Sequence, residues 1–98
     1  MQGMRYRLVA LDIDGTIRSN EHPLSARTRI AIQRIKAAGA IVTIATGRMF
    51  DSARQEAADL GITEPIASFQ GAHVADPVSG NVLWHRPLTS GMALDALK

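Results

Sequence analysis

The chain has 98 residues, 46% hydrophobic and 20% charged, which leaves room for one small core and argues against a disordered or collagen-like chain. Eleven basic residues against nine acidic ones give a formal charge of +2, too mild and scattered for a nucleic-acid-binding face. The absence of cysteine excludes disulfide frameworks, zinc ribbons and thiol nucleophiles together, so any nucleophile is an oxygen or a nitrogen.

The opening residues lack the apolar stretch and cleavage site of a secretory signal. No apolar run approaches the roughly 20 residues needed to cross a bilayer, so a cytoplasmic location with no membrane contact is expected. Leu8-Val9-Ala10-Leu11 is a continuous apolar run that stops at Asp12, the pattern of a strand buried on both faces of a parallel sheet. Ser25 suits the cap of a helix running to about Ala38, with Thr28, Ala31, Ile32 and Ile35 on one face and Gly39 as its stop. A second buried strand, Ala40 to Ala45, ends at Thr46-Gly47-Arg48. The spacing of Ala53, Ala57 and Leu60 then predicts a helix from about Phe50 to Leu60, started by Asp51 or Ser52 and ended by Gly61. Pro65 to Phe69 reads as a third strand followed by Gln70-Gly71, and a hairpin joins His73-Val74-Ala75 to Val82-Leu83-Trp84 across the turn-rich residues 76–81. Thr89 or Ser90 caps a last helix, Met92 to Lys98.

Strand, helix, strand, helix, strand argues for parallel βαβ units. Ligands bind at the carboxyl ends of such strands, so Asp12-Ile13-Asp14-Gly15-Thr16, Thr46-Gly47-Arg48 and Phe69-Gln70-Gly71 should converge on one edge. Two carboxylates as close as Asp12 and Asp14 repel, and a hard divalent ion with oxygen ligands, most simply Mg²⁺, relieves the repulsion. An aspartate beside such an ion and a second carboxyl can cleave a phosphate ester through an aspartyl-phosphate. Asp12 is then the nucleophile, while Asp14 protonates the leaving oxygen and afterwards deprotonates the attacking water. An EF-hand reading fails, because its glycine and glutamate positions fall on Ile17 and Pro23. The Thr46 hydroxyl and Gly47 N–H, next to a helix start, suit a phosphate oxygen, and Arg48 adds a charged substrate contact. His22, His73 and His85 show no ligand spacing, and Trp84 without a basic stripe makes no nucleic-acid platform.

Residues 8–17, the segment ending Ala45-Thr46-Gly47-Arg48, and Phe69-Gln70-Gly71-Ala72 together resemble the haloacid dehalogenase superfamily, most closely its Cof-type phosphatases. The resemblance runs along essentially the whole chain. It implies an α/β, Rossmann-like three-layer core of which residues 1–98 are the N-terminal portion plus a β-hairpin. It further implies Asp12 as nucleophile and Mg²⁺ ligand, Asp14 as acid/base and metal ligand through its backbone carbonyl, Thr46 on the phosphate, Arg48 near the substrate, and a helical turn and flap after Asp14. The substrate class implied is a small phosphorylated metabolite. The common Asn-Gly-Ala after the third strand is Gln70-Gly71-Ala72 here, which moves the amide outward by one methylene.

The family also uses a third-motif lysine, a fourth acidic motif and a substrate-selecting cap. Neither Lys36, mid-helix, nor Lys98, at the terminus, fits the lysine's place, so the chain is expected to be an amino-terminal fragment, weakly active or inactive alone. Such a fragment would expose the first strand as an apolar edge and self-associate. The rival expectations are a non-catalytic module that binds Mg²⁺ or phosphate or serves assembly, and a phosphoacceptor switch, whose acidic pair usually sits on a different strand from its acceptor.

Overall fold

The computed structural model describes residues 5–97. Strand β1 (Leu8–Leu11) lies parallel to β2 (Ile41–Ile44) with Leu8 opposite Ile41 and Leu11 opposite Ile44. Helix α1 (Ala26–Ala37) connects them, and α2 (Phe50–Leu60) leads from β2 to β3 (Ile66–Ser68). A parallel bridge between Ala45 and Ala67 joins β3 to the end of β2. Strands β3, β4 (His73–Ala75) and β5 (Val82–His85) form an antiparallel ladder, and α3 (Ser90–Ala96) follows. The Asp76 carboxylate shapes the hairpin turn by accepting the N–H groups of Val78 and Ser79.

The core follows from the period-2 alternation of β2. Val42 and Ile44 are buried and share one apolar cluster with Ile32 of α1, with Ala53, Ala57 and Leu60 of α2, and with Ile13, Ile62 and Ile66. Both long helices therefore cover the same face of the sheet. Fully buried residues such as Ile44 and Ile66 contribute about 1.5–3 kcal/mol each through the burial of their side chains.

Three expectations need correction. Strand β1 is not buried on both faces: Leu8 is 59% and Ile41 48% exposed, because they face away from the helices and no other described element covers them. Ala31 of α1 is exposed, while Ile32 is buried and Thr28 and Ile35 half-buried, so the apolar stripe is narrower than its spacing suggests. Helix α2 begins after Met49, which makes no side-chain cap. Asp51 lies within its first turn, where a carboxylate complements the helix dipole. The other caps match expectation: Ser25 accepts the Thr28 N–H, Thr89 accepts that of Met92, and Gly61 ends α2 at φ 69°. Helix α3 begins at Ser90, two residues before the expected Met92, and ends at Ala96 with Leu97 as its cap, short of the expected Lys98, which lies outside the described residues.

Strand β1 has one sheet partner among the described residues and an apolar outer face. On its own, the 98-residue chain is expected to associate with rising concentration in light scattering, and Leu8→Lys to shift it toward monomer. A monodisperse unsubstituted monomer would contradict this.

Candidate active site

The carboxyl end of β1 places two carboxylates by burying what lies between them. Ile13 is fully buried, and its carbonyl accepts the N–H groups of Thr16, Ile17 and Arg18 at 3.2, 3.1 and 3.2 Å. With that residue pinned inward, Asp12 and Asp14 both lie exposed. Gly15 at φ 80° supplies the left-handed conformation that the turn needs and that other residues adopt at a cost. The Asp12 carboxylate accepts the Ile13 N–H at 2.9 Å and, weakly, the Thr16 hydroxyl at 3.4 Å.

Backbone bonds stitch the next two strand ends together. Thr46 donates its N–H to Ala67, Phe69 donates to the Arg48 carbonyl, and Gln70 donates to that of Thr46, at 3.0, 2.8 and 3.1 Å. The Thr46 side chain is buried, and its hydroxyl oxygen accepts the Arg48 N–H at 3.1 Å. A hydroxyl used as an acceptor keeps its own hydrogen for a ligand. Phe69 and Gln70 sit at φ 51° and 57°, a left-handed conformation costing roughly 1–2 kcal/mol per residue. The two backbone bonds hold them there beside the cavity.

Asp12, Ala45, Thr46, Gly47, Ala67, Gln70 and Gly71 line a cavity of about 340 Å³. An adjoining one of about 470 Å³ adds Asp14 and Arg48. The structure thus brings together all five residues singled out from the sequence. Gly47 has a steric role that its spacing did not show, since a Cβ there would lie 2.3 Å from Gln70 Nε2. The Gln70 side chain can swing, so Gly47→Ala is expected to leave the melting temperature nearly unchanged. A drop of more than about 5 °C in a thermal melt, the scale of a loss of about 1 kcal/mol in a domain of this size, would contradict this.

Arg48 is engaged inside the protein. Its Nε and Nη2 donate to the two Asp14 carboxylate oxygens at 2.8 and 2.6 Å, and its Nη1 donates to Ser52 at 3.2 Å and Glu56 at 3.3 Å. The hydrogen bonds from Arg48 hold the Asp14 carboxyl below its ordinary value, with desolvation opposing and the charges of Arg48 and Arg18 assisting. Hydrogen bonding to Asp14 likewise raises Arg48. An ionised Asp14 is suited to accepting a proton; donating one requires this pair to loosen.

Glu56 gives no signal of its own in the sequence; it lies one turn beyond Ser52 on α2, and both side chains meet Arg48, which sits in the loop before the helix. The histidines stay out of the cavity: His73 is near Ser68 (3.3 Å) and packs against Phe50, Phe69 and His85 with ring centroids 5.1–5.7 Å away. His22 lines a separate depression beyond Gly15. Lys36 donates to the Gly61 carbonyl at the far end of α2. Among the described residues no helix is long and apolar enough to cross a membrane, and no three His, Cys, Asp or Glu side chains cluster as metal ligands. The oxygen donors at the β1 tip suit a hard cation such as Mg²⁺, which is held by one or two carboxylates and keeps several waters in its octahedral shell.

A family model of haloacid dehalogenase-like hydrolases matches residues 9–98. The chain is 38% identical over 91 residues to a 5-amino-6-(5-phospho-D-ribitylamino)uracil phosphatase of Bacillus subtilis, covering 93% of this chain and 33% of that protein. To an HMP-PP phosphatase of Yersinia pestis it is 32% identical over 79 residues, covering 81% of this chain and 29% of the relative. Among solved structures, a haloacid dehalogenase-like hydrolase from B. subtilis superposes with a TM-score of 0.78 at 30% identity, over 93% of this chain and 32% of that one. The chain therefore spans about a third of the length of the proteins it matches.

Proposed function

Since this chain belongs to the haloacid dehalogenase-like hydrolase family, we propose that its 98 residues form the amino-terminal part of the catalytic core of a phosphatase acting on a small phosphate monoester. The observation that carries this reading is the pair Asp12 and Asp14, set on either side of the buried Ile13 and opening onto a cavity they share with Thr46 and Gly47.

In this reading one Asp12 carboxylate oxygen attacks phosphorus, the ester P–O bond breaks, and the leaving oxygen takes a proton from Asp14. Water then attacks the phosphorus of the aspartyl-phosphate, gives its proton to Asp14, and releases phosphate and the Asp12 carboxylate. The Thr46 hydroxyl and the Gly47 N–H hold phosphate oxygens, and Arg48 contributes a charged contact to the bound ester. The Asp12 carboxylate and Asp14 backbone carbonyl are the ligands this chain offers to Mg²⁺, which when bound offsets negative charge on phosphate and carboxylate. A third-motif lysine and further acidic ligands would come from outside these 98 residues, because Lys36 is engaged at the opposite end of α2.

The test is phosphate release by the full-length protein from a panel of phosphate monoesters, including 5-amino-6-(5-phospho-D-ribitylamino)uracil and sugar phosphates. Turnover with Mg²⁺ that EDTA abolishes is expected. No release from any ester would overturn the reading.

A further inference from the structure

The proposed mechanism leaves one buried ionisable side chain unused. Glu56 is 8% exposed and sits among Ala53, Ala57 and Leu60, the buried residues of α2. Its Oε1 receives two guanidinium groups, Arg48 Nη1 at 3.3 Å and Arg18 Nη1 at 3.2 Å. Its Oε2 has no hydrogen-bond partner among the described residues. Arg18 ends the turn that carries Asp12 and Asp14, and Arg48 follows Thr46 and Gly47 in the loop after β2. One carboxylate thus ties both site-bearing loops to the same helix.

As a stabilising device this is weak, because a buried ion pair rarely improves on well-packed apolar side chains. Its geometry does something else. Arg48 has two edges: Nη1 is held from behind by Ser52 and Glu56, while Nε and Nη2 face forward onto Asp14 at the cavity. Without the rear contacts a long, flexible arginine would be ordered by an exposed carboxylate alone, and such surface pairs hold little.

We propose that Glu56 is a positioning residue for the phosphatase site: from the buried side of α2 it fixes the rear edge of Arg48, so that the front edge is presented at the cavity mouth. The proposal rests on the phosphatase reading and assigns Glu56 no contact with substrate. Its effect on turnover passes entirely through Arg48.

The test uses the full-length protein with Glu56→Gln, which keeps the shape and removes the charge, alone and combined with Arg48→Met. Loss of a positioned binding charge weakens ground and transition states alike, so E56Q should raise KM about fivefold. In the Arg48→Met background, Glu56→Gln should change neither constant by more than about 1.5-fold, because residues acting as a unit are not additive. A lower kcat at unchanged KM, the mark of fewer folded molecules, would overturn the proposal. So would a KM rise that persists without Arg48. The Arg48 Nε–Hε resonance gives a reading independent of turnover: it should be protected from exchange with water in the unsubstituted protein and broadened in E56Q. An identical resonance in both overturns the positioning role. If the unsubstituted protein hydrolyses no ester, the phosphatase reading fails, while this resonance still decides whether Glu56 holds Arg48.

Discussion

Asp12→Asn in the full-length protein is expected to lower turnover by about 10⁴-fold or more, the scale seen when a nucleophile is removed from a covalent mechanism. The substitution is nearly isosteric, and the asparagine carbonyl oxygen can still accept the Ile13 N–H that Asp12 accepts at 2.9 Å. Asp12 is also exposed, so unfolding free energy should move by no more than about 0.5 kcal/mol, the usual range for a surface change. Circular dichroism and a thermal melt would confirm an intact fold beside the lost activity. Turnover within tenfold of the unsubstituted enzyme would remove Asp12 from the nucleophile's place.

Asp14→Asn is expected to show a different loss, one that depends on the ester. Removal of a proton-transfer group costs about 10²- to 10⁴-fold, and the full cost should fall on alkyl phosphates, whose leaving oxygen needs a proton. An aryl phosphate with an acidic phenol leaves unaided, so its first step should be nearly unchanged while attack by water slows. The variant should then give a burst of phenol of about one equivalent per site, followed by a slow steady state. A uniform loss across both ester classes, with no burst, would contradict the acid/base role. The same substitution replaces the two-oxygen acceptor that Arg48 now holds at 2.6 and 2.8 Å. A change in KM beside the change in kcat is therefore expected, and the burst is the cleaner readout.

The elements, and the convergence of five residues on one edge of the sheet, are legible because they obey local rules. Apolar runs that halt at polar groups gave β1 and β2; Ser25, Thr89 and Gly61 marked helix ends through their own backbone chemistry. The direction of parallel strands then brought Asp12, Asp14, Thr46, Gly47 and Arg48 to one edge. What was illegible depends on surfaces that meet across the chain. The bidentate pairing of Arg48 with Asp14 joins residues 34 positions apart, and no periodicity encodes which edge of a guanidinium is occupied. Burial of Glu56 reads against its residue type, since an isolated glutamate on a helix belongs in water unless arginines converge on it. The left-handed pair Phe69 and Gln70 carries no glycine to announce it; the backbone bonds to Arg48 and Thr46 impose it. The run Leu8 to Leu11 has the composition of a doubly covered strand, yet its exposure is set by what packs on the sheet's other face.

The most direct test of the account is to trap the covalent intermediate. The full-length protein, mixed with substrate and Mg²⁺ and quenched in acid within milliseconds, should carry one phosphoryl group. Tandem mass spectrometry should place it on Asp12, with a larger yield in the Asp14→Asn variant. A phosphoryl group on any other residue, or single-turnover hydrolysis with Asp12 unmodified at every quench time, would contradict the mechanism built on the tip of β1.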